Sequence, residues 1–404
     1  MKTQIITSLL ASVLTAAAGP GGGGPSGGYT LHEWGTFTTL STSEGKLLPG
    51  VQREEEPLPE FIFTHDGMEH PDWMRAVKGW MRPLANVTVR METPVIYFYT
   101  KGAFEAHVEV GWKGGSISQW YPDRSGGETP PAIKKDPHGF PLNLENTLDF
   151  AKGYDGNIQW DVRVTPAGED AAGRVFKPGE TPSWIYPRHP DSALVTNKAG
   201  ETEKYLFYRG LGQISLPVTF SSNGQGMVTM KNTGAQPTGA LLIYELNENR
   251  EARWKVVPAL SAGSAQTVSL TSVLFVRDWR AAIYKDGTSM LTSAGLYQKE
   301  ADAMLQTWWP SYFERSGLRV FWVVPRLFTD ATLPLTATPA PKETVRVLVG
   351  RSEILTPDFE RQLVTDFRDA GNDGRNRWES DRYFPAFTER VQQLTKRTAG
   401  AGPR

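Results

Sequence analysis

Cysteine is absent from the 404 residues, histidine occurs only six times, and the charges nearly cancel at a formal net of -1. The first absence excludes disulfide staples, cysteine nucleophiles, thiolate zinc sites, all-cysteine iron–sulfur centres and type 1 copper. Stability must then come from core size and packing, or partly from a bound ion. The balanced charge, with no basic tail or stripe, gives no reason to expect nucleic acid as a partner. No apolar run is long enough for an ordinary membrane span, so no integral membrane association is expected. Also missing are a Walker loop, a dinucleotide glycine fingerprint and a Gly-x-Ser-x-Gly elbow, which removes the common nucleotide and serine-hydrolase readings.

What is present begins with a leader-like segment. Lys2 supplies a positive start, "IITSLLASVL" an apolar stretch and "AAAG" a small-residue context near Ala18. This pattern predicts a signal peptide over residues 1–18 and an exported protein, periplasmic or extracellular. No cysteine stands at the cleavage point to carry a lipid anchor. Residues 19–28 are a glycine-rich spacer with little to bury.

From residue 29 to 284 short strand-like runs separated by Gly, Pro, Asn and Asp predict a mainly β domain, an antiparallel sandwich-like scaffold. "VTVRMETPVIYFYT", "FEAHVEVGW" and "IQWDVRVT" are examples. "TGALLIYELNENREARWKVV" reads as a hairpin turning at 247–249. Residues 285–404 change character and predict an α+β region packed against that scaffold. Leu296, Ala303, Met304 and Trp308 recur at helical spacing, with Pro310 ending or kinking the helix. Thr356 followed by Pro357 and Glu360 marks a helix start, and a last helix is expected over "PAFTERVQQLTKRT".

The scarce histidines sit beside carboxylates. In "FEAHVEV", strand alternation sends Glu105, His107 and Glu109 to one face and the apolar residues to the other. In "LHEWGTFTTL", His32 and Glu33 face opposite ways on an unbroken strand, and serve one site only if a bulge near Gly35 reorients them. His32, His107 and Glu105 form a candidate ligand set for a divalent ion: zinc, copper, manganese or iron, with calcium less natural beside imidazole. Glu33 or Glu109 is the candidate base toward metal-bound water, and Arg209 the candidate clamp for an anionic group. His65 and His70 lie in a loop able to cover a cleft, with Trp73 and Trp120 as aromatic lining. Arg90, Glu92 and Arg351 are charges inside apolar strands, and a buried charge must be paired, which makes them structural candidates.

Two functions follow as expectations. The first is an exported metal-assisted hydrolase acting on a peptide or glycan-like substrate, or another small-molecule ligand. The alternative is a non-catalytic secreted carbohydrate- or protein-binding β protein, or a structural envelope-associated one. Oligomeric state does not follow from the residues.

Overall fold

The computed structural model describes residues 28–54, 58–65, 84–128, 148–168, 171–368 and 377–400. The leader-like residues 1–18, most of the spacer, His70, Trp73 and Trp80 lie outside them.

The first strand, β1 (Tyr29–Ser41), forms the spine, because it is buried along both faces. On one side it runs antiparallel to β2 (Val89–Thr100), whose "VIYFY" run is near-continuously apolar because both of its faces are covered. Chain order continues with β3 (Phe104–Lys113), β4 (Gly115–Tyr121), β5 (Asp155–Thr165), β6 (Leu194–Asn197) and β7 (Leu206–Gly212). Then come β8 (Val218–Ser222), β9 (Met227–Asn232), β10 (Leu241–Leu246), β11 (Ala252–Val257) and β12 (Ala265–Ser269). The last strands are β13 (Gly317–Val323), β14 (Leu335–Thr338) and β15 (Glu343–Ile354).

The large sheet has the order β6–β5–β4–β7–β2–β1–β15–β13–β10–β11 among these strands, with β3 paired to β5. It is antiparallel except where β15 runs parallel to β1 and at the parallel bridge Gly115–Asp155 between β4 and β5. One face carries Leu31, Phe37, Met91, Phe98, Ile243 and Trp322 into a core shared with β3, β5 and the three-stranded sheet β8–β9–β12. The other face carries Trp34, Val95, Tyr97 and Phe321 against two helices, α1 (Arg280–Ser293) and α2 (Gln298–Phe313). A short helix α3 (Arg326–Thr332) precedes β14, and α4 (Pro357–Arg368) and α5 (Phe384–Gly400) close one end over Leu40, Val51 and Leu355. The result is a mixed α/β fold with a large, largely antiparallel sheet and C-terminal helices. No helix among the described residues is long and apolar enough to cross a membrane, which says nothing of a β-barrel.

The expected boundary at 284/285 falls inside α1. The C-terminal region also does more than pack against the scaffold: β13 and β15 are interior strands of the main sheet, β15 lying directly beside β1. The helix expected around Leu296, Ala303, Met304 and Trp308 is α2, which starts at Gln298 and runs through Pro310 to Phe313, and Gly295 at φ 115° separates it from α1. The hairpin turns at 247–251 as its sequence indicates, and Thr356 Oγ1 accepts the Phe359 N–H at 3.2 Å to start α4.

Gly35 permits a bulge without making one. The register between β1 and β2 shifts between Trp34 and Thr36, and the irregular residue is Thr93 on β2, at φ 47°. Pro94 next to it lies over Gly35, where a Cβ would meet Pro94 Cγ at 2.9 Å and Leu348 Cδ1 at 3.0 Å. β1 itself keeps its alternation, so His32 and Glu33 stay on opposite faces.

Candidate functional site

The residues expected to share a metal are held apart by the core. His32 is 1% exposed on the helix-facing side, where its Nδ1–H donates to Glu300 Oε2 at 2.9 Å. Glu300 also accepts from Tyr99 OH at 2.8 Å and from the Tyr297 backbone N–H at 2.7 Å, which caps α2. Burial, and then the Glu300 charge, push the Tyr99 phenol well above its ordinary value. His107 points the other way, to the solvent side of β3, and is 43% exposed with Nδ1 on Asp161 Oδ1 at 2.8 Å. Glu105 pairs with Arg163 beside it at 2.8 Å, also exposed. Among the described residues no group of three or more His, Cys, Asp or Glu side chains is placed to hold a metal ion.

The candidate base and clamp are likewise engaged elsewhere. Glu33 is buried between the sheets, where it accepts from Tyr208 OH and, at 2.6 Å, from Arg346 Nε. Arg346 continues to Asp330 of α3 at 2.8 Å, so this chain of charges ties β1, β7, β15 and α3 together. Glu109 stands on the outer face of β3 opposite Gln159 and Thr336. Arg209 reaches Thr93 Oγ1 at 3.3 Å and Glu54 at 3.9 Å. Trp120 is 6% exposed beneath Arg124 and against the His65 ring, so neither Trp120 nor His65 lines an open cleft. A metal-assisted hydrolase built from these residues is therefore corrected: its ligand pairs lie on opposite sides of a packed core, and its base is locked in an ion pair.

The strand charges Arg90, Glu92 and Arg351 belong to one buried cluster under the end of α2. Arg382 donates to Glu92 at 2.5 Å, and Arg90 to Glu54 at 2.9 Å. Arg319 and Arg351 share Glu353 at 3.0 and 2.8 Å. Burial alone would raise the Glu92 carboxyl, but Arg382, Arg351 and Arg90 outweigh it and hold it well below the usual carboxylate range. Arg351 and Arg319 also donate to the Ser311 and Tyr312 carbonyls at 2.8 and 2.6 Å, satisfying the C-terminal end of α2. This cluster holds sheet to helix.

Two concavities among the described residues bear on binding. One, of about 350 Å³, lies between the β13–β15 end and the C-terminal helices, lined by Arg319, Glu353, Trp378 and Asp381. Several of its polar walls are engaged within the protein: Arg319 on Glu353, Arg315 on Asp381 at 2.6 Å, and Trp378 Nε1 on Asp366 at 2.9 Å. The second, of about 480 Å³, is a groove between the turn 181–186 and helices α1 and α2. Pro182, Tyr186, Tyr284, Trp309 and Pro310 give it apolar and aromatic walls. Thr181 and Ser183 bond to each other at 3.0 Å, and Thr307 to the Ala303 carbonyl at 2.7 Å, so these lining hydroxyls are engaged within the protein. Ile185, 40% exposed, extends the apolar rim.

Sequence reasoning passed over this groove. Its walls come from "PSWIYP", "AAIYKD" and "QTWWP", three segments far apart in the chain. The described tryptophans are buried apart from Trp254, Trp309 and Trp378. A proline or second aromatic beside a tryptophan was the available signal.

No protein-family model matches the chain, and no curated protein does. Among solved structures it is similar to the yeast delta-COP-I mu-homology domain, at 7% identity and a TM-score of 0.27, covering 84% of this chain and 100% of that one. The same domain complexed with a Dsl1 WxWxV peptide matches at 8% identity and a TM-score of 0.26, covering 81% and 98%. At these scores the likeness carries no argument for a ligand or a mechanism. The expectation of an exported, periplasmic or extracellular protein is also corrected. The leader-like residues that suggested export lie outside the described ones, so the structure gives the expectation no support. No compartment is assigned.

Proposed function

We propose that this chain is a non-catalytic binding protein whose sandwich-like scaffold presents the groove between residues 181–186, α1 and α2 to an extended peptide segment of a partner protein. One observation carries the reading: a concavity of about 480 Å³ walled by Pro182, Tyr186, Tyr284, Trp309 and Pro310, where most other described tryptophans are buried. Rigid aromatic walls of this kind suit proline-containing extended segments, which bring little conformational entropy to lose. They suit sugars less well here, because Thr181, Ser183 and Thr307 are engaged within the protein and a glycan needs such groups for its hydroxyls.

Selection of a random-peptide display library on the immobilised chain tests this reading. Enrichment of proline- or aromatic-containing sequences is expected, with binding lost in Trp309→Ala and Tyr186→Ala. Selected peptides that bind both variants as well as the unsubstituted chain would contradict it.

A further inference from the structure

The groove has an electrostatic sign as well as an apolar wall. Pro310 lacks a backbone N–H, so the Gln306 carbonyl of α2 is left without its i+4 helical donor, and both residues line the groove. At the same rim, Tyr284 OH donates to Asp302 Oδ1 at 2.7 Å, and Gln298 Nε2 to the same oxygen at 3.0 Å. Asp302 forms no ion pair among the described residues. Neighbouring cations are occupied elsewhere, Lys299 by Asp191 at 2.7 Å and Arg280 by Glu314 at 3.2 Å, while Lys285 projects to solvent. A carboxylate without an ion-pair partner among the described residues, Asp302, therefore stands beside two aromatic rings, Tyr284 and Trp309, with centroids 6.0 Å apart.

We infer that the groove is specific for an extended, proline-containing peptide carrying an arginine, whose guanidinium lies against Tyr284 and Trp309 and donates to the two oxygens of Asp302. The inference rests on the groove reading above. Arginine fits better than lysine because its planar, weakly hydrated fork both stacks on rings and donates to two acceptors at once. An acidic peptide is disfavoured by Asp302.

Fluorescence anisotropy with three labelled peptides tests it: a proline–alanine dodecapeptide with one central arginine, and its citrulline and glutamate counterparts. Citrulline keeps the shape of arginine and removes the charge. The arginine peptide is expected to bind about tenfold more tightly than the citrulline one, the size of a charge-assisted hydrogen bond. Asp302→Asn should bring that ratio close to one; Trp309→Ala and Tyr186→Ala should weaken both. Equal affinity for arginine and citrulline peptides, with both still lost in Trp309→Ala, overturns the arginine specificity and leaves the groove standing. Binding unchanged in Trp309→Ala and Tyr186→Ala overturns the groove itself. Failure of all three peptides to bind overturns the inference.

Discussion

Glu92→Gln is the sharpest perturbation of the scaffold. The carboxylate lies among Arg382, Arg351 and Arg90, all three lowering its pKa against the opposing effect of burial. Gln keeps the shape and one acceptor for Arg382 but removes the charge that offsets buried guanidinium groups. Removing one partner of a buried ion pair costs about 3–5 kcal/mol; with one acceptor retained, the lower end applies, about 3 kcal/mol. With a guanidinium m-value of about 5 kcal/mol/M for a chain of this size, the midpoint should fall by roughly 0.6 M. A double-mutant cycle with Arg382→Met isolates the pair and should give a coupling of about 1–3 kcal/mol. A midpoint within about 0.1 M of the unsubstituted chain, or a coupling near zero, would show that the cluster is not held together by this charge.

Three further outcomes follow from the same geometry. Neighbouring arginines hold Glu92 and Glu353 below the ordinary carboxylate value of 4.5, so the stability they contribute is fully present above that pH and is lost as pH falls below it toward their folded values; denaturant midpoints should drop steeply below about pH 4.5, and less so in Glu92→Gln. His107→Ala should leave stability within about 0.5 kcal/mol, because the ring is half-exposed and its Asp161 partner is wet; loss of folding would mean that the outer face of β3 does structural work not seen here. Gly35→Ala should destabilise by about 1–3 kcal/mol through the contact with Pro94 and Leu348, measurable as a lower melting temperature.

The strands were legible wherever one face is wet. Residues 104–110 alternate in burial as their sequence alternates in polarity, with Glu105, His107 and Glu109 outward. The Thr356 helix start and the 247–251 hairpin were legible for a similar reason, since caps and turns are written in adjacent residues. Long-range neighbours were not: β15 lies beside β1 across more than three hundred residues, and nothing local in "TVRVLVG" names its partner. α1 escaped because only Ile283, Gly287 and Leu291 of its residues are buried, too sparse a stripe to stand out. The metal reading failed on the same ground. The face of a strand can be read from its sequence, but which faces meet cannot, and here the core of two sheets separates His32 from His107. The groove, assembled from residues 181–186, 284 and 306–310, was hidden for that reason too.

Hydrogen–deuterium exchange of the chain with and without a display-selected peptide, read together with the peptide's mass after incubation, addresses the binding function most directly. New protection confined to residues 181–186, the Tyr284 turn of α1 and 306–310, with the peptide recovered intact, is the expected result. Protection elsewhere with those segments unchanged, or a cleaved peptide, would contradict it.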